Sequence, residues 1–146
     1  MPQDPKLTPD DMLCFDVYAM QQAFNRLYKP LLAPLGLTYP QYLVMVVLWS
    51  EDQMPVGRIG ARLGLESSTL TPLIKRLELA GLVTRSRDLQ DERKVAVTLT
   101  QRGRAMETQA REIPRCVEAS TGMDSAEIAE LRGRLARLHG ALTAAE

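Results

Sequence analysis

Histidine, cysteine and tryptophan are almost missing from this chain. Its 146 residues hold one His, two Cys and one Trp. One imidazole and two thiols at positions 14 and 116 give too few well-spaced donors for a zinc site, and two cysteines make no disulfide framework. The single histidine, His139, has no polar cluster gathered around it for acid–base work, so the sequence offers no enzyme, metal or cofactor chemistry. Long apolar runs are missing as well. The longest, Tyr42 to Trp49, is far short of the roughly 20 residues a membrane helix needs. No basic stretch followed by an apolar run opens the chain, so no signal peptide is expected. The expected location is cytoplasmic, where thiols rest reduced. Finally, neither sign of charge is in excess: 18 basic residues face 18 acidic ones.

What is present is ordinary in amount but uneven in placement. Hydrophobic residues make up 45% and charged residues 25% of the chain, as in a soluble globular protein able to bury a core without staples. A single domain over 1–146 is expected. Residues 58–94 carry eight cations (Arg58, Arg62, Lys75, Arg76, Arg85, Arg87, Arg93, Lys94) and five acids, whereas residues 1–57 carry three and six. A locally basic middle is enough for phosphate contacts.

Thr8-Pro9-Asp10-Asp11 has the form of a helix start. Leu13, Val17, Met20, Phe24, Leu27 and Leu31 then form one apolar stripe, which Pro30 bends or ends. Thr38-Tyr39-Pro40 starts a second helix, apolar on most sides and running to about Ser50, expected at the buried centre. Pro55 opens a short third helix with Gly64 as the turn glycine. Ser67-Ser68 caps a fourth, which Gly81 closes. Residues 82–87 and the alternating Val95-Ala96-Val97-Thr98-Leu99 predict a two-stranded hairpin with a polar tip. Thr100 caps a fifth helix to about Glu118. Asp124 or Ser125 caps a sixth, with Ile128, Leu131, Leu135, Leu138 and Leu142 on one side. The stripes of the first and sixth helices exceed what the middle can cover, and pairing of two chains meets that need. The fold class is therefore mainly α with a small β-hairpin, as a homodimer. A winged helix-turn-helix over about 55–99 sits between dimerisation helices over about 8–33 and 100–144.

Two short helices, a tight turn and a basic hairpin are the parts of a double-stranded-DNA reader, in which the second helix enters the major groove by its N-terminal end. Here that end is Ser67-Ser68-Thr69-Leu70-Thr71-Pro72, small residues whose hydroxyls donate or accept. Lys75 and Arg76 follow one turn on, suited to phosphates or guanine edges. At the hairpin tip are Arg87, Asp91, Arg93 and Lys94. An arginine from the tip fits a narrow minor groove, and Asp91 is spaced to hold Arg93 in place.

At these residues the chain resembles the MarR family of dimeric transcription regulators. Leu73-Ile74-Lys75-Arg76-Leu77-Glu78 with Gly81-Leu82-Val83-Thr84-Arg85 is similar to the family's recognition helix and first wing strand, and Asp91-Glu92-Arg93 to its wing-tip Asp-x-Arg. The resemblance spans nearly the whole chain and implies an intertwined homodimer in which the first, fifth and sixth helices pair between subunits. A finer likeness, to organic-hydroperoxide-sensing repressors of the OhrR type, rests on Leu13-Cys14-Phe15 with Tyr18, Tyr28-Lys29-Pro30-Leu31-Leu32, Leu37-Thr38-Tyr39-Pro40-Gln41-Tyr42-Leu43 and Ser68-Thr69-Leu70-Thr71-Pro72. It implies a reduced dimer that represses from an inverted-repeat operator and is released when hydroperoxide oxidises the N-terminal cysteine. It also implies that two tyrosines hydrogen-bond that cysteine. Those roles fall on Cys14, Tyr28 and Tyr39. Some members resolve the oxidised sensor with a second cysteine of the other subunit. Cys116 lies in that region but about one turn before the resolving position, near Ala119, so it is either the resolving thiol or a bystander, a small thiol being the other resolver.

The chemistry can be weighed separately. A sensing cysteine reacts as the thiolate. Counted from Thr8, Cys14 falls in the second helical turn, where the dipole helps little. Tyr18 is one turn away, but Tyr28 is 14 residues along the helix, roughly 21 Å, so a Cys14–Tyr28 contact requires a partner chain or a sharp fold-back. The other reading of Cys14 is a small buried hydrophobe. The alternative function is then a MarR-type regulator released by a small aromatic ligand in the dimer crevice, with Cys14 incidental.

Overall fold

Thr8 and Pro9 do open a helical turn, but not the first long helix. Thr8 Oγ1 accepts from the Asp10 N–H at 3.4 Å and closes a 3-10 turn, Pro9–Asp11. Met12 then returns to extended backbone, and helix α1 starts afresh, Leu13–Leu32. Pro30 ends α1 gradually: two more residues stay helical before a 3-10 turn, Ala33–Leu35, and Gly36 turns the chain at φ 67°. The computed structural model describes residue 4, residues 6–87 and residues 94–146. It divides into two compact units, Met1–Ala110 and Arg111–Glu146.

The first unit is built around α2, Tyr39–Ser50. Thr38 and Gln41 close a capping box across its first turn. As expected from a helix apolar on most sides, Tyr42, Val44, Met45, Val47 and Leu48 are buried. Strand β1, Met54–Pro55, leads into α3, Val56–Leu63. Next come α4, Ser67–Leu79, then β2, Val83–Arg87, β3, Val95–Leu99, and α5, Gln101–Ala110. The hairpin is thus one edge of a three-stranded antiparallel sheet in the order β1-β3-β2, mostly helical architecture with a small sheet. The register sets Val83 opposite Leu99 and Arg85 opposite Val97, and β1 adds Met54 opposite Val97. Val83, Val97, Leu99 and Met54 therefore share the buried face.

Two helix ends differ from expectation. Ser67 and Ser68 do not cap α4: Glu66 is the cap residue, without a side-chain bond, and both serines lie in the first turn. The helix expected from Thr100 to Glu118 is two helices, α5 and α6, Glu112–Ser120. Pro114 explains the break, since it has no N–H for the Ala110 carbonyl and its ring excludes a continuous helix there, yet it is tolerated in the first turn of α6. Thr100 does cap α5, accepting from the Gly103 N–H at 3.1 Å.

In the second unit, α6 is followed by Gly122 at φ 68° and by α7, Ser125–Ala144. Asp124 is the α7 cap and forms a capping box with Glu127. Leu131, Leu135 and Leu142 of α7 are exposed, as are Leu13, Val17, Met20 and Phe24 of α1.

Candidate functional site

The reading head begins with the turn between α3 and α4. Gly64 caps α3 at φ 68°, and Gly60 accepts the Leu65 N–H at 2.9 Å. A Cβ on Gly60 would stand 2.6 Å from the Leu65 carbonyl oxygen, so the two helices meet this closely only with glycine there. On α4, Leu70, Ile74 and Leu77 are fully buried. The opposite face exposes Ser67, Ser68, Thr69, Pro72, Lys75 and Arg76, with Thr71 half-buried at its margin. Thr69 and Leu70 both bond the Glu66 carbonyl. The N–H groups of Ser67 and Ser68 therefore lack a helical partner and point along the helix start, where an anion is favoured.

An ion pair fastens the sheet to α4. Glu78 accepts from the Arg85 main-chain N–H at 3.1 Å and from its guanidinium at 3.1 and 3.3 Å. Those bonds hold the Glu78 carboxyl below the usual carboxylate range. Arg85 is thus a strut between α4 and β2. Arg87 and Lys94 are exposed where the strands approach the tip. Asp91 and Arg93, expected at that tip, lie outside the described residues. Between α3, α4 and the strands opens a cleft of 590 Å³ lined by Gly57, Arg58, Ser67, Thr71, Arg85 and Lys94 among others. The sequence reading singled out Ser67, Thr71 and Lys94 as site residues but not Arg58 or Arg85; the signal for Arg58 was its membership of the basic middle, and Arg85 had in addition its place in the stretch similar to the family's first wing strand.

The thiol end is organised differently. Because α1 starts at Leu13, Cys14 is its second residue, in the first turn and not the second. Phe15 and Asp16 bond the Met12 carbonyl, so the Leu13 and Cys14 N–H groups precede the helical ladder and their dipoles favour an anion beside them. Cys14 is an exposed free thiol. Tyr18, one turn on, is exposed, and its hydroxyl accepts from Gln22 Nε2 at 2.9 Å.

Tyr28 and Tyr39 are brought together, with ring centroids 4.7 Å apart and planes tilted by 50°. Tyr42, which the sequence reading did not single out, completes the cluster at 6.0 Å from Tyr28 and 6.3 Å from Tyr39. Gln21, Phe24, Asn25, Tyr28 and Tyr39 line a cleft of 270 Å³. Burial, followed by the neighbouring Tyr39 and Tyr42, pushes the Tyr28 hydroxyl up to about 12. Burial and then Tyr39 raise Tyr42. Both phenols are therefore protonated at neutral pH and keep a hydrogen to donate. Cys14 is not among them: α1 is continuous from Leu13 to Leu32, so Cys14 and Tyr28 of one chain stand roughly 21 Å apart along it. Cys116, on α6 in the second unit, is an exposed free thiol whose carbonyl accepts from Ser120. His139 is exposed on α7. Among the described residues no three His, Cys, Asp or Glu side chains gather as a metal site, and no single helix is long and apolar enough to cross a membrane.

Comparison with known proteins gives a consistent picture. The sequence pattern of the transcriptional regulators SarA/Rot matches residues 26–109. The HTH-type transcriptional regulator TtmR of Methylorubrum extorquens is 47% identical over 97% of this chain and 73% of its own length. The organic hydroperoxide resistance transcriptional regulator of Bacillus subtilis is 38% identical over 86% of each chain. Among solved structures, reduced AbfR bound to DNA has a TM-score of 0.79 at 34% identity, covering 90% of both chains; AbfR is from Staphylococcus epidermidis. PcaV of Streptomyces coelicolor, in complex with its natural ligand, has a TM-score of 0.84 at 26% identity, covering 95% of this chain and 99% of PcaV.

Proposed function

The chain belongs to the MarR family of winged-helix transcriptional regulators, in the group that includes the organic hydroperoxide resistance regulator, and from that premise we propose that it is a dimeric, DNA-binding repressor switched by oxidation of Cys14. The whole chain acts as one regulator: the segment 55–99 reads DNA, and the helices within 8–33 and 100–144 pair two copies. Ser67, Ser68, Thr69, Thr71, Pro72, Lys75 and Arg76 meet the major groove of an inverted-repeat operator, while Arg87, Asp91, Arg93 and Lys94 follow the wing to the backbone and minor groove. Repression is the sign of regulation that the resemblance to hydroperoxide-sensing repressors implies.

The observation that carries the redox reading is the geometry of α1. Its first turn presents Cys14, its last third presents Tyr28 against Tyr39, and one chain cannot bring them together. A second copy, laid antiparallel along the exposed apolar stripe of α1, sets each Cys14 beside the other copy's tyrosine cleft. There the two phenols donate to the sulfur. The thiolate attacks the terminal peroxide oxygen of an organic hydroperoxide. The O–O bond breaks, the hydroxyl oxygen stays on the sulfur of Cys14 as a sulfenic acid, and the expelled alkoxide takes a proton from solvent and leaves as the alcohol. A thiol, from Cys116 of the other copy or from a small molecule, then displaces water to form a disulfide. The disulfide draws the Cys14 sulfur out from between the phenols, the spacing of the two reading heads changes, and operator affinity falls. Support comes also from AbfR, whose structures include a reduced and an overoxidized state, both bound to DNA, and a disulfide-formed state, which makes the disulfide the state to associate with release.

A gel-shift titration with cumene hydroperoxide tests this. The parent is expected to leave its operator, and Cys14→Ser to stay bound; equal release of both would sink the redox reading. The rival, release by a small aromatic ligand with Cys14 incidental, draws on the likeness to liganded PcaV and on the 270 Å³ cleft with its phenols and amides. Release by a phenolic acid with Cys14→Ser fully responsive would select it.

A further inference from the structure

The tyrosine cluster does not end at its cleft. Tyr42 is buried beneath Tyr28 and Tyr39, and its ring meets Trp49 edge-on at 6.4 Å. Seven residues separate the two on α2, so they lie two turns apart on one stripe of the most deeply buried helix. At the far end the Trp49 indole N–H donates to the Gly103 carbonyl oxygen at 2.9 Å. Gly103 is itself wedged against the reading head: a Cβ there would overlap the Leu82 carbonyl oxygen, which already accepts the Thr100 N–H at 3.0 Å. Leu82 is the last of the three residues between the end of α4 and the start of β2. Around the same joint Thr100 Oγ1 donates to the Gly81 carbonyl at 2.7 Å, and Arg102 to the Ala80 carbonyl at 3.0 Å.

A continuous line of packed rings and one long-range hydrogen bond therefore runs from the cleft to the root of both DNA-reading elements. Each link resists independent movement. Tyr42 is buried among the other three rings and has little free volume in which to absorb a shift, and the half-buried Trp49 indole has one donor, whose bond to Gly103 breaks if the joint moves away. We infer that Trp49 is a positioning residue that couples the tyrosine cluster to the junction of α4, β2 and α5, so that a change at Tyr28 or Tyr39 is felt as a change in how α4 and the wing are presented to DNA. The inference rests on the reading of that cluster as the sensing cleft.

Spatial continuity alone is not coupling, so the test measures coupling energy. Full-length reduced protein carrying Tyr39→Leu, Trp49→Phe or both is titrated against an operator duplex selected by the reduced parent from a random-sequence pool. Tyr39→Leu is expected to weaken binding about tenfold when Trp49 is present and less than about twofold in the Trp49→Phe background. Independent, multiplicative effects overturn the inference. Should Trp49→Phe fail to fold, benzothienylalanine at position 49 keeps the ring system and removes only the donor, and the same cycle is read. A second readout uses the fact that Trp49 is the chain's single tryptophan. Operator binding is expected to change its emission and its energy transfer from tyrosine, because the acceptor of its hydrogen bond, Gly103, is wedged against the head. Emission unmoved by saturating operator counts against the inference. No oxidant enters either measurement, so failure of the redox reading, seen as hydroperoxide release of Cys14→Ser, is distinguishable from failure of the coupling.

Discussion

The reading head and the first helix spend their apolar residues in opposite ways. In the head, Ile59, Leu70, Leu77 and Val97 are at 0% exposure. On α1, Leu13 is at 62% and Met20 at 54%. Both sets have the periodicity of a core face, but only the first has a core within one chain. The head is thus complete as a folded object, with its helix-turn-helix, sheet and glycine turns all mutually packed. The stripe on α1 is a face awaiting a partner, and the thiol at its tip is part of that unfinished surface. The contrast implies that the head fails by unfolding, irrespective of protein concentration, whereas α1 fails by dissociation, which depends on it.

The largest effect that would test this lies in the head. Leu70 is fully buried on α4 against Gly60 of α3. Leu70→Ala is expected to cost about 2–5 kcal/mol of unfolding free energy through lost burial and a residual cavity. Chemical denaturation at two protein concentrations, with the loss the same at both, would bear this out. A loss below about 1 kcal/mol would mean that the head is not the independent core described. Next is the partner face. Met20→Glu places a charge in the middle of the α1 stripe and is expected to weaken dimerisation at least about tenfold. Its unfolding midpoint should become concentration-dependent where that of Leu70→Ala is not. Sedimentation velocity showing an unchanged dimer would remove the basis for pairing through α1.

How far this contrast is legible in the sequence depends on the range of the interactions involved. Helix α2 is read to its ends because its boundary chemistry is local: the Thr38–Gln41 box and Pro40 at the start. Gly64 and Gly81, at φ 68° and 77°, are equally local. The two wing strands follow from alternation. What escaped depends on neighbours distant in sequence. Met54–Pro55 is too short to show a period and becomes a strand only because β3 offers it an edge. The start at Leu13 hinges on one extended residue, Met12, between a 3-10 turn and a helix, and this moves Cys14 by a turn. Of the site, Tyr28 and Tyr39 are legible from the family likeness, whereas Tyr42, Trp49 and the Glu78–Arg85 strut emerge only when α2, α4 and the sheet are packed.

That strut gives the third test. Glu78→Gln keeps the shape of the side chain and removes the charge that holds Arg85. Operator affinity is expected to fall about fivefold as the wing loosens from α4, with the fall absent in a variant lacking the wing tip. The pH dependence has a definite sign. The carboxyl of Glu78 is lowered from the ordinary 4.5, so its contribution to stability is present above that value and disappears as pH falls through the lower folded value. Glu78→Gln should flatten the acid limb of the stability profile. An unaltered acid limb would show that the strut contributes nothing to holding the wing.

The smallest effect lies at the boundary between the two regions, where Tyr28 projects from the uncovered helix onto the covered one. Its hydroxyl is raised from 10.0 to about 12, chiefly by burial. In the unfolded chain the same group loses its proton near its ordinary value, so the folded state binds more protons between the two. The stabilisation is whole below about pH 10 and declines as pH rises toward about 12. Alkaline denaturation followed by phenolate absorbance should therefore show a component in that window which Tyr28→Phe removes, while the midpoint at neutral pH stays nearly the same. In a dimer the thiolate of the other copy would sit against this phenol and oppose its ionisation further. Met20→Glu, by separating the copies, should then move the Tyr28 component toward lower pH. If the component is indifferent to that separation, the tyrosine cleft belongs wholly to one chain, and the division between a finished head and an unfinished first helix falls before Tyr28.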